Sequence, residues 1–310
     1  MAEQANEHNL TRLAPGAAAI GRAMGRPVPI AVACLVALVA LGWLFLVLMV
    51  AAWAARGNAA ALGPGMGVFD LLIQRAGHDL IGRALIDVLC RPSFGATGWQ
   101  LSEIGLVFLM WAAMTLAMML PTAAGMIVTY AQLADTAARQ HEPAVSPVIL
   151  TAGYVTVWLG FALAATVLQA ALTRAALVDP AMASASALFS GAIFVAAGAY
   201  QFSALKQACV TRCQRPFPFF FANWSTAPRT IFRLGFRQGL DCLGCCWATM
   251  LVMFAVGAMN VLWMAGLGML MAAEKLVTTM WLSRIAGIVF IAIGVVLIAN
   301  SVVAHWPHPS

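Results

Sequence analysis

Six long apolar runs divide the chain, at about 28–55, 103–130, 147–173, 184–208, 241–271 and 279–303. A helix needs about 20 apolar residues to cross a bilayer, and each run is long enough. The first is also too long for the core of a signal peptide. The pattern predicts an all-α, polytopic transmembrane bundle of about six spanning helices. It forms a single membrane domain over 28–303, with tails at 1–27 and 304–310. In the stretch between the first two runs, Arg75, Asp79, Arg83 and Asp87 recur every four residues, and Ile73, Ile81, Ala84 and Val88 lie roughly opposite. That spacing predicts an amphipathic helix lying along the extracytoplasmic surface.

Composition supports the membrane reading. The chain of 310 residues is 63% hydrophobic and 9% charged, against about 25% charged in soluble domains. The net charge of +6 comes from basic residues between apolar runs. There they orient the chain and meet anionic lipid, and they give no sign of nucleic-acid binding. With the N terminus inside, ten lysines and arginines fall on the inner side and seven on the outer. The stretch 206–237 carries most of that bias. Both termini are therefore expected in the cytoplasm. Glycine pairs seven apart (Gly153/Gly160, Gly191/Gly198, Gly287/Gly294) mark faces where helices approach closely.

The candidate chemistry is sulfur. Seven cysteines include Cys34 and Cys90 and two groups, Cys209/Cys213 and Cys242/Cys245/Cys246. Their uneven spacing does not suit a disulfide framework. The groups read C-x3-C and C-x2-C-C, placed at the cytoplasmic ends of the fourth and fifth helices. Paired short motifs of this kind build thiolate metal sites. Lys206, Arg212 and Arg215 stand near as cations that favour thiolates. Soft sulfur selects Cu(I) or zinc. Thiol exchange at the C-x-x-C pair Cys242/Cys245 and simple buried packing are the alternatives. On the fifth run, Met253, Asn260 and Met264 share a face with Cys242. On the second, Met110, Met114 and Met118 share another, with Met119 beside it. These methionines either line a soft-cation path or pack. Pro121 frees the carbonyl of Ala117, a second candidate for that path. Asp241 is expected to open a helix. Glu274 and Lys275 form an outer-surface pair, or Glu274 meets Glu103. The stretch "RPFPFFFANW" reads as an interfacial anchor. His78, His305 and His308 have no clear partner. No phosphate-binding glycine loop is present, which argues against an ATP-driven pump.

The segments "MWAAMTLAMMLP", "LKQACVTRCQRP", "GLDCLGCCWATM" and "GAMNVLWMAGLGMLMAAEK" together resemble a bacterial family of predicted metal-binding integral membrane proteins, a domain-of-unknown-function family. The likeness covers about 100–275. It implies a helical membrane fold and a metal site. By position it marks Met118, Met119, Pro121, Lys206, Cys209, Cys213, Cys242, Cys245, Cys246, Trp247, Asn260, Trp263, Met264, Glu274 and Lys275. The leading expectation is a membrane protein that binds, handles or transports a soft metal ion, copper(I) first and zinc second. Its partners would be the lipid bilayer and a soluble metal chaperone or membrane subunits. The alternatives are a membrane oxidoreductase, using a dithiol or a bound metal, and a structural or assembly subunit of a membrane complex.

Overall fold

The computed structural model describes residues 27–54, 59–69, 101–140, 142–178, 184 and 186–304. Among them are nine α-helices: α1 (Pro27–Ala54), α2 (Leu101–Arg139), α3 (Pro147–Arg174), α4 (Ala187–Tyr200), α5 (Ala204–Gln214), α6 (Pro216–Ala222), α7 (Pro228–Val256), α8 (Val261–Leu276) and α9 (Trp281–Ala304). A short 3-10 turn spans Ala59–Leu62. The protein is an all-α polytopic bundle. By length and composition α1, α2, α3, α7 and α9 can each cross a membrane, and α4 with α5, bent by 64°, adds a sixth span if counted as one. The amphipathic stretch 75–88, Cys90, His78, His305 and His308 lie outside the described residues.

Local chemistry sets the helix starts. Ser146 caps α3, its hydroxyl accepting from Val148 N, and Pro147 occupies the first turn, where no donor is lost. Ser203 caps α5 through Lys206 N. Pro228 opens α7. The stretch 206–237, expected as a polar loop, is therefore mostly helix. Asp241, expected at a helix start, lies inside α7.

The main departure is at the fifth apolar run. It is not one span. α7 stops at Val256, the chain turns through Gly257 (φ 100°), and α8 runs back alongside. The left-handed φ suits a residue without a Cβ, and a side chain there would also strike Leu62 O of the 3-10 turn. Asn260 then caps α8 by accepting from Trp263 N at 3.2 Å. Both legs are apolar, so hydropathy does not register the reversal.

Contacts fix the direction of each helix. α2 and α3 are antiparallel: Tyr130 Oη donates to Val145 O at one end, and Trp111 Nε1 donates to Gln169 Oε1 at the other. α3 and α7 run parallel, with Gly153 against Phe232 and Phe236 and Gly239 against Tyr154 and Val157. α4 runs antiparallel to α7, joined by Ser190 Oγ to Ala255 O and Gln201 Nε2 to Thr249 Oγ1. α9 is antiparallel to α4, and α1 to α2. The extra leg formed by α8 places Pro27 and Ala304 at opposite ends of the bundle.

The α4–α9 seam depends on glycine. Gly191 and Gly198 face Gly294 and Gly287. A Cβ on Gly198 would lie 2.8 Å from Gly287 O, closer than real Cβ contacts allow. Gly198→Leu is expected to cost about 1–3 kcal/mol by overpacking, read as a lower unfolding midpoint in detergent. Gly160 faces open space, so Gly160→Leu is the control expected to leave the midpoint unchanged.

Candidate metal centre

The three thiols of Cys242, Cys245 and Cys246 lie within 4.8 Å of one another and are all buried. Spacing i, i+3 and i+4 on one helix brings them together without help from any loop. The Cys245 thiol donates to Cys242 O at 3.1 Å and stands 3.2 Å from the Cys246 sulfur. A disulfide needs about 2.05 Å, so these are free thiols. The cluster sits in the middle of the 29-residue α7, roughly 20 Å along the helix from Pro228 at 1.5 Å per residue. α7 begins some four turns before the cluster, and those turns carry Arg229, Arg233 and Arg237.

Three further elements converge on Cys242. From α3, Tyr154 Oη is 2.9 Å from Cys242 Sγ, and it also donates to Met119 O of α2 at 3.1 Å. From α8, Lys275 Nζ is 2.9 Å from the same sulfur and 2.7 Å from Thr122 Oγ1. From α5, Cys213 lines the same cavity as Cys242. Cys213, rather than Cys209, shares that cavity, while the triad itself is Cys242, Cys245 and Cys246. Cys209 packs beside Gly244, where an added Cβ would lie 2.6 Å from its sulfur.

The cation that meets the thiols is Lys275. Lys206, expected in that role, is buried in a two-oxygen ion pair with Glu274 at 2.8 and 3.0 Å. Arg212 pairs with Asp241 at 3.0 Å. Glu274 and Lys275 do not pair with each other on an outer surface. The return of α8 carries both to the level of the cysteines, and Glu103 lies in the first turn of α2, at the far end of the bundle.

The other expected site residues resolve differently. Met110, Met114, Met118, Met119, Met253 and Met264 are all buried. Met118 packs beside Gly268, its Cγ 3.6 Å from where a Cβ would stand. α2 and α8 run in the same direction, so Met114 and Met110 continue from there toward the α7–α8 turn. Asn260 belongs to that turn. Its amide donates to Pro64 O and Val256 O, which makes it a joint between segments. The carbonyl of Ala117, left free by Pro121, accepts from the Trp43 indole at 3.2 Å. It faces α1 and not a cation path. Trp247 stacks edge-on with Tyr200 at 5.0 Å, and Trp263 meets Phe194. The phenylalanine-rich stretch forms α6 and seats Phe220 against Tyr130 at 5.5 Å.

A cavity of about 270 Å³ opens onto this cluster. Its lining includes Thr122, Tyr154, Cys213, Gln238, Cys242 and Lys275. Tyr154 and Gln238 escaped the sequence reading. The signals were there: a tyrosine inside an apolar helix must find a partner, and Gln238 precedes Cys242 by one helical turn on the same face.

The tyrosine is open to a direct test. Tyr154→Phe removes a hydroxyl bonded to both Cys242 and Met119 O. It is expected to lower stability by about 1–2 kcal/mol while leaving the three thiols together. Thermal unfolding and metal content measured on the same sample check both parts.

A buried thiol cluster within a polytopic helical bundle defines a metal-binding membrane protein of the soft-ligand type. The chain belongs to the family described as PpoB2, copper chaperone, whose model matches residues 108–297. The match takes in most of α9, beyond the span of the resemblance. No curated protein and no solved structure matches the chain.

Proposed function

We propose that this protein is a membrane copper chaperone that holds Cu(I) on Cys242, Cys245 and Cys246. The observation that carries this is the mutual approach of three buried thiols in a chain of a copper-chaperone family. The donor set fits the ion. Soft sulfur selects Cu(I) or zinc among biological cations. Cu(I) accepts two or three sulfur ligands, which one helical turn supplies, whereas zinc takes four in structural sites. Charge also fits, because a buried ion needs neutralising partners. Cu(I) bound by two thiolates carries one negative charge, and the Lys275 ammonium beside Cys242 balances it.

Cys213 acts as the movable ligand. It comes from α5, is only half-buried, and lines the cavity beside Cys242. A chaperone must release its metal as well as bind it. A ligand on a second helix provides a way to lower the coordination number during hand-over. The buried methionines of α2, α7 and α8 extend the soft surface away from the thiols. Movement of copper along them to the far side belongs to this proposal as its extension. Cys213→Ser tests the role of α5: the protein is expected to keep about one copper per chain while exchanging it with a competing chelator about tenfold faster or more, as loss of one ligand contact of about 1.4 kcal/mol or more implies. Unchanged exchange would remove Cys213 from the site.

A further inference from the structure

The cavity that leads to Cys242 holds a cation and no carboxylate, and this sharpens what the protein receives. Lys275 lines it, and no carboxylate side chain does among the described residues; the hydroxyls of Thr122, Thr129 and Tyr154 already donate to backbone carbonyls. Gln238 is 3% exposed, yet its side-chain Nε2 has no hydrogen-bond partner among the described residues. A buried amide donor without an acceptor is costly, on the order of 1–3 kcal/mol, so a site that keeps one has a use for it. A bare copper ion does not satisfy it, because the ion brings no acceptor. A carboxylate does satisfy it.

Resting on the copper reading above, we infer that this cavity binds Cu(I) as its complex with an anionic low-molecular-weight thiol, a carboxylate of the carrier accepting from Gln238 and facing Lys275. Cys213 and Cys242 line the same space, so the metal arrives beside its acceptors. A copper–sulfur bond forms to a protein thiol as the bond to the carrier sulfur breaks. The proton released by the protein thiol goes to the departing carrier thiolate. Copper stays Cu(I) throughout, and no electron moves.

The test uses the full chain in nanodiscs, reduced and anaerobic, loaded from two donors. One is the Cu(I)–glutathione complex and the other is Cu(I) in acetonitrile, with loading followed by thiolate-to-copper absorbance. Gln238→Leu is expected to slow loading from the glutathione complex about tenfold and Gln238→Glu to slow it further. Both variants should load from acetonitrile at the parent rate, which also shows that they fold. Equal rates for parent and variants with the glutathione donor would overturn the inference and leave the copper site standing. A metal-free readout separates the two ideas. S-Methylglutathione should slow maleimide labelling of Cys213, read by peptide mass spectrometry, in the parent and not in Gln238→Glu. Absence of that protection overturns the inference whatever copper does. Failure of the parent to load from either donor refutes the copper reading instead.

Discussion

Changing Cys242, Cys245 and Cys246 together to serine is expected to reduce copper content from about one ion per chain to background. Hydroxyl oxygen is a poor ligand for a soft cation, and three ligands are lost at once. The folded state should survive, because serine is close to cysteine in volume and the helix turn that carries it is held by α3 and α8. Each single change should have a graded effect. Cys242→Ser is the most damaging, since that sulfur meets Tyr154 and Lys275 as well as its two neighbours on α7. Elemental analysis of protein purified from copper-supplemented cells, with circular dichroism as the folding control, checks the series. Copper retained by a folded triple variant would place the metal elsewhere.

Lys206→Met is expected to be the most destabilising single change in the bundle. It strands Glu274 as a buried, unpaired carboxylate at a cost of about 3–5 kcal/mol. Changing both partners, Lys206→Met with Glu274→Met, should recover most of that loss, because the desolvation cost of both charges disappears with them. The pair also positions the site. It ties α5, which carries Cys213, to α8, which carries Lys275, and Gln214 reinforces the joint by donating to Glu274 O and Val277 O at 2.8 Å each. The double variant should therefore fold yet exchange copper faster, as a looser α5 lets Cys213 drift from Cys242. Thermal unfolding of the single and double variants in nanodiscs, followed by chelator competition on the double, separates the two effects. A double variant as unstable as the single one would show that the ion pair does more than compensate its own burial.

Hydropathy made most of the bundle legible, because a spanning helix is nearly uniform in character and long enough to stand out. It failed where two helices of like composition meet at a tight turn. Nothing apolar marks Gly257–Asn260 as a reversal, although a glycine three residues before an asparagine is the chemistry of a left-handed turn and a helix cap. That omission displaced everything after it: Glu274 and Lys275 were expected on the outer side and stand at the thiols. The cysteine triad was legible since its spacing is local to one helix. Its companions were not. Tyr154 and Cys213 come to its level from helices 88 and 29 positions away in sequence (242 − 154 and 242 − 213), and only packing decides which of the two cysteines on α5 lines the cavity beside Cys242. Lys206 misled for the same reason: proximity in sequence to Cys209 suggested a cation for the thiols, whereas burial demanded a carboxylate partner and found Glu274.

The central claim is that copper is held by the sulfur atoms of the α7 triad. X-ray absorption at the copper edge, on anaerobically loaded protein in nanodiscs, tests it most directly. The proposed copper site predicts Cu(I) with a first shell of two or three sulfur atoms and no nitrogen or oxygen, changing to a different shell or to no bound copper in the triple serine variant. A first shell of nitrogen or oxygen in the parent, or an all-sulfur shell that persists without the three cysteines, would contradict it.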